Sequence, residues 1–208
     1  MIKAIIADLD NTIYPVKSIA DRLFAPLMDL MEEYRDEIGE ETIQQVKEEI
    51  TKIPFQKAAD KHKLNPELKQ RGIDLLNHLT YDLPMQPYDD YRFMQQVNAQ
   101  KFLVTMGFTH LQESKIKQLS LDKDFEEIYI VDPETTSETK QDIFKEILST
   151  YSLQPDEVLV IGDDVESEIK AGKALGTLTY LRDERGTYPP DTATYQYPTL
   201  AHLPELFS

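Results

Sequence analysis

The stretch Ala4-Ile5-Ile6-Ala7-Asp8-Leu9-Asp10-Asn11-Thr12 decides the fold. Its apolar opening reads as a buried strand, too short to be a membrane span. The run stops at two carboxylates set two residues apart. Alternate residues of a strand point to the same side, so Asp8 and Asp10 leave the strand end close together. Neighbouring carboxylates repel unless a cation or a proton comes between them. The pair therefore suits binding of Mg²⁺, sharing of a proton, or division into a nucleophile and an acid/base.

Further strand-like runs follow at Phe102-Leu103-Val104, Ile128-Tyr129-Ile130-Val131, Val158-Leu159-Val160-Ile161 and Leu178-Thr179-Tyr180-Leu181. Helical patterns lie between them. Ser137 is expected to cap a helix whose stripe is Ile143, Phe144, Ile147, Leu148 and Tyr151. After Gly162, the positions Val165, Ile169 and Leu175 predict another, closed by Gly176. Strands alternating with helices imply an α/β fold, a parallel sheet with helices on both faces. Ligands then sit beyond the carboxyl ends of the strands, where Asp8, Thr105 and Asp163 all fall.

Residues 15–83 contain no strand-like run. Ile19, Leu23, Leu27, Leu30 and Tyr34 lie at helical spacing, with a kink expected at Pro26. Glu41 to Ile50 reads as a charged second helix. Asn65-Pro66-Glu67 is a helix start: cap, first-turn proline, acid. The expected organisation is a core of residues 1–14 and 84–208 with an all-helical insertion over 15–83. An insertion directly after the carboxylate pair is placed to act as a lid. The tract Asp183 to Pro198 reads as a surface loop.

The chain of 208 residues carries a net charge of -16 and no cysteine. The lack of cysteine excludes thiolate catalysis, disulfides and zinc–thiolate sites. A surface this acidic repels nucleic acid and anionic membranes, so neither is an expected partner. It also repels phosphorylated molecules, unless a metal and a few local cations invert the field at the site. The N-terminus runs straight into the first strand without a signal-peptide pattern, and a cytoplasmic location is the expectation.

Asp8-Leu9-Asp10-Asn11-Thr12, Thr105 at a strand end, Lys140 at a helix start, and Gly162-Asp163-Asp164 with Glu168 occur in that order. This constellation resembles the haloacid dehalogenase superfamily, in its phosphatase branch with a helical cap after the first motif. The extended Asp8-Leu9-Asp10-Asn11-Thr12-Ile13-Tyr14-Pro15 is most similar to the pyrimidine 5′-nucleotidase-like group. The resemblance implies a Rossmann-like core and a Mg²⁺-dependent phosphatase acting on a small phosphate monoester, with a nucleoside monophosphate as the first expectation. It makes Asp8 the nucleophile that forms an aspartyl-phosphate and Asp10 the acid/base. It gives Thr105, Met106 and Lys140 to phosphoryl binding, and the metal to Asp8, the backbone carbonyl of Asp10, and Asp163.

The sequence departs from the family pattern at several points. Met106 stands where Asn is frequent, Gln141 where Pro often follows the lysine, and Glu168 where Asp is usual. Lys145 is a second candidate for the lysine. Two other readings stay open: a phosphomutase using the same residues, and a phosphate-binding regulatory protein with little turnover. His62, His78, His110 and His202 are scattered without a pattern for a metal or a triad. Asp89-Asp90 and Asp122-Lys123-Asp124 read as loop acids.

Overall fold

The computed structural model describes residues 1–207. After β1 (Ala4–Ala7) come α1 (Ala20–Leu23), α2 (Ala25–Glu32), α3 (Arg35–Ile38), α4 (Glu40–Glu49), α5 (Phe55–Lys61), α6 (Pro66–Asn77) and α7 (Tyr91–Gln96). Strands and helices then alternate: β2 (Gln100–Met106), α8 (Thr109–Leu119), β3 (Glu127–Val131), α9 (Lys140–Thr150), β4 (Val158–Gly162), α10 (Lys170–Leu175), β5 (Leu178–Arg182) and β6 (Tyr195–Tyr197). The strands form one parallel sheet in the order β3-β2-β1-β4-β5-β6.

Strand β1 lies between β2 and β4, with Ala7 opposite Leu103 on one side and Ile161 on the other. That register brings the carboxyl ends of the three strands level, which gathers Asp8, Thr105 and Asp163 at one edge. The side chains of β1 divide between the faces with period two. Ala4 and Ile6 join Phe102, Val104, Phe144 and Ile147 on one face. Ile5 and Ala7 join Leu103, Leu159 and Ile161 on the other. Leu27, Met31, Phe55 and Leu68 of the helices between β1 and β2 continue this second cluster, so that helical segment shares an apolar core with the sheet.

Local chemistry explains most element ends. Asn65 caps α6, its side chain accepting the Leu68 N–H at 2.7 Å, with Pro66 in the first turn. The expected kink at Pro26 is instead a break. The chain leaves α1 at Phe24 and α2 begins afresh with Pro26 in its first turn, where a missing N–H costs nothing. Helix α9 is capped by Thr139 rather than Ser137. Thr139 and Asp142 satisfy each other's backbone N–H in a reciprocal box, which outcompetes a serine two residues earlier. The tract from Asp183 is not all loop, because Tyr195–Tyr197 adds an edge strand parallel to β5. Tyr180 holds it, with its ring 5.6 Å from that of Tyr197 and its hydroxyl on the Thr199 carbonyl at 2.6 Å. Asp90 is no loose acid either, since it accepts from the Arg182 guanidinium and the Leu200 N–H, each at 3.0 Å.

Candidate active site

Asp8 is the first residue past β1, its N–H still bonded to the Ile161 carbonyl at 3.0 Å. Lys140 opens α9 and reaches across to it, with Nζ 2.6 Å from Asp8 Oδ1. The same ammonium donates to Glu168. Asp8, Lys140 and Glu168 are only 5%, 5% and 3% exposed, so a cation lies between two carboxylates with almost no water. Burial pushes the Asp8 carboxyl up, Lys140 pulls it down, and the charges of Glu168 and Asp10 raise it again, to about 7. Burial works against the Lys140 ammonium, but Asp8 and Glu168 outweigh it and hold the charge in place. Lys145 points elsewhere, bonding Asp142 on the exposed side of α9.

A single π-turn, Val165–Ile169, follows β4 and swings Glu168 back over the strand end. Asp164 caps this turn by accepting the Glu166 N–H at 2.8 Å, so its carboxylate is partly engaged by backbone. Asp163 is half-buried near Asp8 at the mouth of the cleft. Its carboxyl is pushed well above the ordinary value, first by burial and then by the charges of Asp8, Glu168 and Asp164.

Asp10 occupies the opposite electrostatic setting. Lys115 Nζ lies 2.9 Å and 3.1 Å from its two oxygens, Gln112 Nε2 donates at 3.0 Å, and the Tyr14 hydroxyl donates as well. Burial pushes the Asp10 carboxyl up, but Lys115, Tyr14 and Gln112 together hold it below the usual carboxylate range. Lys115 and Gln112 both project from α8, and sequence reasoning assigned neither. The same Gln112 Nε2 also lies 2.6 Å from the Thr105 hydroxyl and 3.1 Å from the Met106 carbonyl, so its two hydrogens are shared among three acceptors. Thr105 is therefore fully buried and committed to Gln112, one shell behind Asp10.

Asp8, Asp10, Met106, Lys140 and Asp163 all line one cleft of about 390 Å³, whereas Thr105 does not reach it. Its far wall comes from the inserted helical segment, through Phe24, Ile50, Thr51 and Pro54. Asn11 ties the two walls, its side-chain amide donating to the Thr51 carbonyl at 3.1 Å and accepting from the Val16 N–H. Among the described residues no three His, Cys, Asp or Glu side chains converge as a metal cage. Asp8 and Asp163 still offer two hard carboxylates in an anionic corner. That suits Mg²⁺, which takes one or two carboxylates and keeps its waters and substrate oxygens. The histidines lie elsewhere: His62 bonds Glu49 at 3.1 Å, His78 the Asp74 carbonyl at 2.8 Å, and His202 stacks on Tyr197. No helix among the described residues is long and apolar enough to cross a membrane.

Comparison with known proteins agrees with this geometry. The model of the haloacid dehalogenase-like hydrolases matches residues 2–176. A haloacid dehalogenase-like hydrolase domain-containing protein of Arabidopsis thaliana is 24% identical over 91% of this chain and 74% of its own length. The glyceraldehyde 3-phosphate phosphatase of Methanopyrus kandleri is 25% identical over 90% of this chain and 86% of its own. Among solved structures, the HAD hydrolase YfnB of Bacillus subtilis, bound to magnesium, superposes with a TM-score of 0.69 at 19% identity. That match covers 100% of this chain and 99% of YfnB. A family match across most of the chain, joined to a parallel α/β core with paired carboxylates at its strand ends, makes this protein a member of the haloacid dehalogenase-like hydrolases.

Proposed function

We propose that this protein is a Mg²⁺-dependent phosphatase that hydrolyses a small phosphate monoester through an aspartyl-phosphate on Asp8. The observation that carries the reading is the contrast between two carboxylates two residues apart. Asp8 is pushed up to about 7 and held by Lys140, while Asp10 is held down by Lys115 and Tyr14. Environments that drive neighbouring carboxylates apart suit a division of roles.

Uncatalysed hydrolysis of phosphate monoesters is so slow that acceleration can reach ~10²¹-fold, and a covalent intermediate splits the task. In the first half, an Asp8 oxygen attacks phosphorus, the ester P–O bond breaks, and the leaving oxygen takes a proton from Asp10. In the second, water gives a proton to Asp10 and attacks phosphorus, and the bond to Asp8 breaks. The resting carboxylate of Asp10 already has the form that the second half needs. The arriving phosphoryl dianion repels that carboxylate and favours the proton required for the first. Lys140 faces Asp8 throughout and offsets the negative charge gathered there. Asp8, the backbone carbonyl of Asp10, and Asp163 would hold the metal, with Glu168 and Asp164 fixing the groups around them. The bound ion would supply positive charge that keeps Asp8 ionised and neutralises phosphoryl oxygens.

Residues 15–83 form the cap in this reading and close over the cleft, with Thr105 and Met106 shaping the phosphoryl end through Gln112. The interdomain movement reported for YfnB supports a cap that moves. Relatives named as glyceraldehyde 3-phosphate phosphatases support a small phosphorylated metabolite as substrate. The first motif's likeness to the nucleotidase-like group adds a nucleoside monophosphate to the candidates. The test is phosphate release from a panel of phosphorylated metabolites with Mg²⁺, by wild type and by Asp8→Asn. Release by the wild type and none by the variant is expected. Undiminished release by Asp8→Asn overturns the reading, and isomerised product without free phosphate would mark a mutase instead.

A further inference from the structure

A second lobe of about 270 Å³ adjoins the cleft and shares Asn11, Thr51, Lys52 and Asp163 with it as lining. Its outer wall is Pro15, Lys17 and the Asp183–Tyr188 loop. The charges of that wall are unequal in availability. Asp183 is spent inside the loop, accepting the N–H groups of Thr187 at 2.9 Å and Tyr188 at 3.2 Å, and the Gln196 amide at 3.0 Å. Arg182 pairs with Asp90 and with Glu184, and its guanidinium stacks on Tyr88 at 3.6 Å. Glu184 shares that one guanidinium with Asp90, so the three groups together keep one negative charge. Lys17, Lys52 and Arg185 remain, all exposed, and none makes an ion pair or side-chain hydrogen bond among the described residues. The lobe is thus lined by three free cations, in a chain whose net charge is -16. The carboxylates that oppose them there are Asp163, which the proposed function assigns to the metal, and Glu184, which shares the Arg182 guanidinium with Asp90.

We propose that this lobe is a subsite for a second anionic group on the substrate, so that the preferred substrate is an organic phosphate also carrying a carboxylate or another phosphoryl group. The inference rests on the proposed phosphatase reading and narrows its substrate class. Cations in a concave wall focus a positive field and gain more from an anion than the same residues on an open surface. Asp183 fixes the loop before any ligand arrives, which reduces the ordering cost of binding. A nucleoside monophosphate has no second anion and gains nothing from the lobe.

Calorimetry with non-hydrolysable phosphonates in Mg²⁺ buffer tests this independently of turnover. Phosphonoacetate, 3-phosphonopropionate and 4-phosphonobutyrate are each compared with ethyl-, propyl- and butylphosphonate. At least one acid is expected to bind about tenfold tighter than its alkyl partner, the sum of several partly exposed ion pairs. Propane-1,3-bisphosphonate beside 4-phosphonobutyrate, which has the same three-methylene spacer, tells a second phosphoryl group from a carboxylate. In Lys17→Gln/Arg185→Gln the preference is expected to fall to about twofold or less. Both residues are exposed, and each single variant should show part of the loss if the double variant misfolds. Equal binding of acid and alkyl forms by the wild type overturns the proposal, as does a preference unchanged in the variants. Turnover separates the two readings. Hydrolysis of p-nitrophenyl phosphate without any acid preference leaves the phosphatase and removes the subsite. An acid preference that the variants abolish, without hydrolysis of any ester, leaves the subsite and removes the phosphatase.

Discussion

Gly162 has no room for a side chain because Glu168 lies where one would be: a Cβ there would sit 2.7 Å from the Cβ of Glu168. The glycine at the end of β4 is thus a packing requirement of the π-turn and of the buried carboxylate it delivers to Lys140. Gly162→Ala should shift Glu168, cost about 1–3 kcal/mol of stability, and lower phosphate release. Urea denaturation and a phosphate assay read the two effects, and a variant unchanged in both would show that the close approach carries no weight.

Lys140 is the counter-ion of two buried carboxylates. Lys140→Met leaves Asp8 and Glu168 facing each other without a cation, which for a buried pair broken on one side costs about 3–5 kcal/mol. Adding Glu168→Gln should recover part of that loss, since it removes one of the stranded charges. Chemical denaturation of the single and double variants is the measurement. A double variant no more stable than the single one would mean that Glu168 is not held by this lysine.

The acid/base role proposed for Asp10 makes it matter in proportion to how much a proton is needed. Asp10→Asn should cut hydrolysis of alkyl phosphates by about two to four orders of magnitude. The cut should be smaller for p-nitrophenyl phosphate, whose leaving group departs without protonation. Steady-state rates on a series of esters with graded leaving groups give the slope. Equal losses across the series would remove Asp10 from proton transfer.

Metal and pH should be linked through Asp8. Its carboxyl is raised in the folded protein to about 7 from an ordinary 3.8. Between those values the folded chain keeps a proton that the unfolded chain has lost, so this group weakens folding progressively as pH rises through the window. In EDTA, Asp8→Asn should gain stability relative to wild type over that window. Mg²⁺ should raise the wild-type melting temperature at neutral pH, since a ligand that binds only the folded state stabilises it. EDTA should silence phosphate release. A metal-insensitive melting temperature together with full activity in EDTA would remove the metal from the site.

The residues at strand ends were legible in the sequence because a strand end announces itself: an apolar run stops at Asp8-Leu9-Asp10 or at Gly162-Asp163-Asp164. Lys140 was legible as a cation at the wrong end of a helix for the helix dipole. The support of Asp10 was not. Lys115 and Gln112 sit on α8, whose weak apolar pattern of Leu111 and Ile116 gave no reason to count a lysine and a glutamine as buried. The commitment of Thr105 to Gln112 depends on a rotamer, which no spacing reveals. The α9 cap could have been read, since Thr139 and Asp142 have reciprocal-box spacing. Strand β6 could not, because three residues at an edge carry too little pattern.

The position of β1, third of six and hydrogen-bonded on both sides, has a kinetic consequence. Openings that fray the β6 or β3 margin expose their amides first, whereas those of Ile5 to Ala7 must wait for the sheet to part. In deuterium exchange, the backbone that aims Asp8 should be among the last to take up label.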